Sequence, residues 1–481
     1  MARVAASALL VALAACGGGG GGEPGGGAAK GGGSDSAATA STAREDSAAA
    51  FRARFGSRVP RPDSLRALYV NGWAAGGRTR MRELVRIADE TEINAFVIDI
   101  KESDTYLTHD STGIALAKEI GADTMPRSRW LPALVDTLRA HGIYPIARIV
   151  VFKDRMLAEK KPELAIRHTN GSVWLDQKGK PWVNPYDRRV WDYNIAIARE
   201  ALDMGFSEIQ WDYVRFPDVT DARRATMAFP GSNGKPRDVN IEEFIRYSKE
   251  QLAEYQVPVT ADVFGLVTHL EGDVGIGQNW ERVITSADAV LPMVYPSHYF
   301  GGVYGFSRPN AHPYEMVRIS MQDAVERTRA VQKQGRKTGE IIPWLQAFTA
   351  DYLRDGITYG PSHVRQQIAA TYDSGLKSWV LWNPGSKYDV YLPALRPADG
   401  SPSPLERGGW RPLRWQPPRG RMSVVVRRMD QQASQAAADT LRGTPADSMR
   451  HGGPPATGAR GAAGAAPRTG GRAALGGIGR M

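Results

Sequence analysis

The stretch EIQWDYVRFP, residues 208–217, decides the fold. Ile209, Trp211 and Tyr213 recur at period two, the spacing that sets alternate side chains on one face of a β-strand. The other face carries Glu208, Gln210 and Asp212, and the run stops at Arg215 and Pro217. Such a strand is either a surface edge or one whose polar face looks into a site. The flanking sequence chooses between them. Apolar runs of similar length lie at 65–72, 94–101, 143–152, 257–265, 288–296, 340–348 and 376–383, so that 207–217 is the fourth of eight. Most are separated by stretches of helical period, such as 80–92, 130–142, 241–255 and 363–375. Gly142, Gly205 and Gly375 follow helical stretches and precede strands, the position of a helix C-cap glycine. Eight strands alternating with helices predict an α/β fold, a single (β/α)8 TIM barrel. A doubly wound open sheet is the alternative, but the NGWAAGG of residues 71–77 is a poor version of the phosphate loop it commonly carries.

Composition bounds the function. The chain has 481 residues and a net charge of +10. From residue 396 onward there are 14 Arg, no Lys and 5 acids, so +9 of that charge sits in the tail. A body near neutrality lacks the clustered cations that phosphate neutralisation needs, so nucleic acid is not an expected partner. The expected layout is a signal at 1–16, a Gly/Ala/Ser-rich linker at 17–57, the barrel at 58–396, and a disordered Arg/Pro/Gly/Ala-rich tail at 397–481. Cys16 is the single cysteine, which excludes a disulfide framework. It ends MARVAASALLVALAAC, the layout of a secretory signal closing on a lipobox-like LAAC. The expectation is a lipoprotein with Cys16 lipidated, membrane-anchored at the cell envelope, each buried methylene adding roughly 0.8 kcal/mol.

In a TIM barrel the functional groups sit at the C-terminal ends of the strands. Those positions hold Asp99 and Lys101 on the second strand, Arg148 on the third, and Asp212 and Arg215 on the fourth. The fifth gives Asp262, the sixth Tyr295 and His298, the seventh Trp344 and Gln346, the eighth Trp382 and Asn383. Histidines are not clustered and no Gly-x-Ser-x-Gly elbow occurs, so neither metal nor cofactor is expected. Carboxylates with tryptophans suit a carbohydrate substrate: glycoside cleavage needs two carboxyl groups flanking one bond, and indole faces stack on sugar rings. Asp212 and Asp262 are the expected catalytic pair. Asp99, Lys101, Arg148, Arg215, Tyr295, His298, Trp344, Gln346 and Asn383 are expected to contact substrate, with Trp182 and Trp382 as stacking platforms. Glu208, about 13 Å down the strand from Asp212, is expected at the barrel floor. Glu271 and Asp273 are reserve acids.

VIDIK, WVNPYDRRVWDYN, WDYVRFP, TADVFG, PMVYPSHY, PWLQAF and LWN, in this order, resemble a bacterial family assigned to the glycoside hydrolases, with a barrel distantly similar to the alpha-amylase superfamily. The resemblance spans about residues 65–395. It implies that Asp212 is the nucleophile. The amylase-type acid is a Glu where this chain has Asp262, and the amylase-type Arg two residues before the nucleophile is replaced by Gln210. The expected function is hydrolysis of a polysaccharide or oligosaccharide at the cell envelope. The alternative is a non-catalytic glycan-binding barrel.

Overall fold

A computed structural model describes residue 56 and residues 58–422, apart from 103–105, 112 and 414. Cys16, nearly all of the linker and the tail from 423 lie outside the described residues. Eight parallel strands close into a barrel: β1 (Arg66–Val70), β2 (Ala95–Lys101), β3 (Tyr144–Val150), β4 (Glu208–Asp212), β5 (Val259–Phe264), β6 (Ala289–Met293), β7 in two pieces (Glu340–Ile341 and Trp344–Gln346) and β8 (Trp379–Trp382). The crossovers carry α1 (Arg78–Glu90), α2 (Leu131–Ala140), α3 (Arg188–Asp203), α4 (Arg237–Gln251), α5 (Trp280–Ser286), α6 (Pro313–Lys333) and α7 (Pro361–Asp373). Gly142, Gly205 and Gly375 all take positive φ, which a residue with a Cβ resists, and so turn the chain from helix to strand.

The break in β7 has a cause in β6. Val290 pairs with Ile341 and Met293 with Trp344, while Pro292 lies between and has no N–H to give. Ile342 still donates to Val290 at 3.0 Å and Pro343 accepts from Val380 at 3.0 Å, so β7 is interrupted only where Pro292 offers no donor.

Alternation along the strands sorts the core into two layers. Ala67, Val97, Ile146, Leu291 and Val380 fill the barrel interior, whereas Leu68, Ile98, Ile149, Ile209, Trp211 and Val263 pack outward against the helices. Trp211 reaches Ser248 of α4 with its Nε1 at 3.0 Å. Glu208, Gln210 and Asp212 therefore point inward. Glu208 is at the floor, where Arg61 Nε lies 3.2 Å and the Tyr144 hydroxyl 3.1 Å from its carboxylate.

Three details differ from the sequence expectation. β4 stops at Asp212, because Tyr213 takes φ 48° and leaves the face it shares in sequence with Ile209 and Trp211. The folded body also runs past residue 396. A short helix at Pro404–Arg407 ties Glu406 to Arg365 at 2.8 Å and to Arg396 at 3.1 Å, and Trp410 donates to Ser362 at 3.1 Å. Lastly, a register shift in β2 between Asp99 and Lys101 sets Lys101 beside outward-facing Ile149. Its ammonium is completely buried 2.7 Å from Asp154, which caps the helix Arg155–Lys160. Lys101 is thus a support for the third crossover, not a substrate contact.

Removing one partner of a buried ion pair strands the other charge, at a cost of about 3–5 kcal/mol. Lys101→Met is expected to destabilise the barrel by that amount, read as a lowered urea midpoint at unchanged slope. An unchanged midpoint would contradict the supporting role.

Candidate active site

The barrel mouth is organised around one guanidinium. Arg148 points inward from β3 and bonds Asp99 of β2 through one terminal nitrogen and Asp212 of β4 through the other. Its Nε lies 3.1 Å from the same Asp212 oxygen and 3.8 Å from Asp262 Oδ2 of β5. Inward parity on four adjacent strands brings these residues together. Oxygens at 3.1 and 3.8 Å from one nitrogen stand at most about 7 Å apart, which admits the roughly 5–5.5 Å of a retaining pair and the short end of the inverting range.

One cation facing three buried aspartates leaves negative charge in excess. A pair of unit charges near 4 Å interacts by roughly 4 kcal/mol at the effective dielectric of such a site, enough to hold a proton on one of them. Burial, reinforced by Asp212, pushes Asp262 well above the usual carboxylate range, against the opposing pull of Arg148, Trp344 and Gln210. Its Oδ1 accepts from Gln210 Nε2 at 2.8 Å and Trp344 Nε1 at 2.7 Å, while its Oδ2 is buried without a hydrogen-bond partner. The proton therefore belongs on Oδ2. Burial also raises Asp99, against Arg148, and Asp99 accepts from the Tyr69 hydroxyl, which is 3.1 Å from Glu102 as well. Asp212 is the more accessible of the catalytic candidates, with 6% of its side chain open against 1% for Asp262. Its second oxygen accepts the backbone N–H of Tyr213, a bond that the turn at Tyr213 makes local.

An aromatic wall faces this cluster. Tyr295 and Trp382 stack at 5.0 Å, Phe348 meets Trp382 edge-on at 5.2 Å, and His298 sits 4.9 Å from Tyr295. Trp382 is half-buried and keeps area free for a ligand. His298 is exposed at the mouth, so its imidazole can meet a ligand.

Several expected contacts are committed elsewhere. Trp182 is buried, donates to Asp176 at 3.2 Å and packs edge-on against Tyr213 at 5.8 Å, so its faces are covered and it is not a platform. Trp344 orients Asp262. Gln346 has its amide occupied by Ser297, Asn310 and Phe348, and Asn383 bonds Ala347, Gly385 and Lys387; both order the loops around the mouth. Arg215 differs from these: it is stacked among aromatic rings, donates to the Phe216 carbonyl and makes no ion pair with Asp212 among the described residues. Glu271 is at the surface beside Arg421, and Asp273 pairs with Arg237 at 3.1 Å, so neither reserve acid joins the cluster. Tyr69, Gln210 and Phe348 belong to the site and are absent from the sequence-based set. Strand parity could have found the first two. Among the described residues no group of three His, Cys, Asp or Glu side chains is arranged to hold a metal ion.

Residues 67–388 match the family model DUF4015, described as "Putative glycosyl hydrolase domain". Among solved structures the chain is similar to a hypothetical protein from Ruminiclostridium thermocellum ATCC 27405, with 40% identity over 41% of this chain and 97% of that one and a TM-score of 0.37. It is also similar to the PgaB (BpsB) glycoside hydrolase domain from Bordetella bronchiseptica, with 14% identity, 67% and 95% coverage and a TM-score of 0.48. The alpha-galactosidase TtGalA from Thermus thermophilus matches at 15% identity, 68% and 60% coverage and a TM-score of 0.41. No curated protein matches the chain. The family match begins within β1, passes beyond β8 and takes in Asp99, Arg148, Asp212 and Asp262; covering more than half of the sequence, it places the chain in this glycosyl hydrolase domain family.

Proposed function

We propose that the protein hydrolyses a glycosidic bond of a polysaccharide or oligosaccharide with Asp212 and Asp262 as its paired carboxyl groups. The observation that carries this is the unequal treatment of the two. Asp212 is held by Arg148 through Nε and a terminal nitrogen, the geometry in which a carboxylate accepts from a guanidinium. Asp262 has one oxygen fixed by two donors and the other free to keep a proton. Environments that separate two neighbouring carboxyl groups in this way assign them different roles. Asp212 acts as nucleophile or base at the anomeric carbon, and Asp262 protonates the leaving oxygen. Trp382 supplies a stacking face and His298 lies where a sugar hydroxyl would bond, whereas Asp99, expected to contact substrate, is fully buried with its two oxygens on Arg148 and Tyr69 and positions the guanidinium instead. The anchoring at the cell envelope rests on residues 1–16 alone.

Asp212→Asn is expected to lower kcat by about a thousandfold or more with the fold intact by circular dichroism. Retained cleavage would remove Asp212 from the mechanism, whereas glycan binding without cleavage by the unaltered protein would favour a glycan-binding barrel.

Asp262→Asn should lose most activity on a natural glycan but far less on an aryl glycoside, whose leaving group needs no proton. Since the pKa of Asp262 is raised, the acid form persists to higher pH than usual. Activity should fall as pH rises through that pKa, and this limb should vanish in the Asn variant. Equal loss on both substrates would shift the acid role to Glu102, the half-exposed carboxyl bonded to Tyr69.

For the anchor, Cys16→Ala should abolish incorporation of radiolabelled palmitate and release the protein from the membrane fraction. Unchanged partitioning would rule out lipidation at Cys16.

A further inference from the structure

The ring of Tyr213, next to Asp212, is approached by two cations. Lys153 Nζ is 4.6 Å and the Arg215 guanidinium carbon 4.8 Å from its centroid. Arg215 is 8% exposed, and Phe264 and Trp182 enclose it at 4.4 and 5.2 Å. It donates to the Phe216 carbonyl at 2.9 Å, while Lys153 donates to the Tyr213 hydroxyl at 3.3 Å. Among the described residues neither cation has a carboxylate within ion-pairing distance. Asp218 and Asp212 act on Arg215 only from farther away.

This departs from the treatment of other buried cations in the molecule. Arg148 holds Asp99 and Asp212, Lys101 holds Asp154, Arg327 holds Glu281 and Arg365 holds Glu406. Buried charge is normally paired, because desolvation is otherwise uncompensated. Contact with aromatic faces positions a guanidinium without discharging it. The backbone strain is local to the same place: Tyr213 is a bulky residue at φ 48°, an outlier of the kind that collects at ligand sites. All three residues follow strands at the barrel mouth, Lys153 after β3 and Tyr213 and Arg215 after β4.

We propose that Lys153, Tyr213 and Arg215 form a subsite for an anionic group on the sugar chain, a carboxylate or a sulfate, beside Asp212. A planar guanidinium fork and a point-like ammonium that both approach one tyrosine suit an oxyanion that can accept from each. The substrate class is then an acidic glycan; this rests on the glycosidase reading for the sugar, and on the unpaired cations for the charge.

The test is affinity electrophoresis of the full chain through a polyuronate and its carboxyl-reduced form, and through a sulfated polysaccharide and its desulfated form. New reducing ends are measured in parallel. At least one anionic polymer should bind about tenfold or more tightly than its neutral form. Lys153→Met and Arg215→Gln should each remove most of that preference and leave neutral binding unchanged. The arm that responds distinguishes carboxylate from sulfate. The Arg-rich tail is common to all three proteins, so a preference that survives in both variants belongs to the tail and overturns the subsite. Equal binding of charged and neutral polymers, or no binding of any anionic polymer, overturns it as well. If Arg215→Gln fails to fold, Lys153→Met, at a half-buried position, decides alone. An acidic polymer bound through the subsite but never cleaved would leave the subsite standing and remove the hydrolase reading; a neutral polymer cleaved without charge preference would do the reverse.

Discussion

The barrel mouth depends on the position of one positive charge. Arg148 reaches carboxylates on the strands to either side of its own and approaches a third on β5. Without it, Asp99, Asp212 and Asp262 would be three buried acids with no cation, and burial would force protons onto them. With it, three carboxyl groups from β2, β4 and β5 gather around one guanidinium. Arg148 stands beside Gln210 in the β3–β4 register. Gln210, two residues before Asp212, turns its amide to Asp262.

The fold was legible because both its periodicities are strong. Two-residue alternation marked the strands, and the glycines at 142, 205 and 375 marked where helices yield to them. Closure of the barrel was legible from the number of strands. The inward orientation of Asp99, Arg148, Asp212 and Asp262 follows from parity alone. Three things did not show in the sequence. The register shift that throws Lys101 outward depends on how β2 meets β3. The turn at Tyr213 uses a backbone conformation that tyrosine does not advertise. The segment beyond 396 is held by Glu406, Trp410 and Trp415, a few anchors in a composition that otherwise reads as disordered.

The site residues divide by hydrogen-bond capacity. An amide or indole can meet a ligand only with groups that are not already engaged. Gln346, Asn383, Trp182 and Trp344 all sit where a sequence reading places binding residues, yet their polar atoms are committed to loops or to Asp262. They shape the mouth without facing it. Trp382 and His298 differ in keeping surface open, and Lys153 and Arg215 in keeping charge unpaired. Position at a strand end is therefore necessary for a role in recognition and not sufficient; the remaining condition appears only when each donor and acceptor is followed to its partner.

The split in β7 reaches beyond strand geometry. A closed barrel has no edge, so its wall is as strong as its least complete ladder. Between β6 and β7 that ladder is broken at Pro292 and resumes only at Trp344, the residue whose indole holds Asp262. The seam of the barrel is thus linked to Asp262, one strand away, through the Trp344 indole. Breathing of the wall at this joint would reach Asp262 through the Trp344 side chain, which ties the orientation of that carboxyl group to the integrity of the barrel itself.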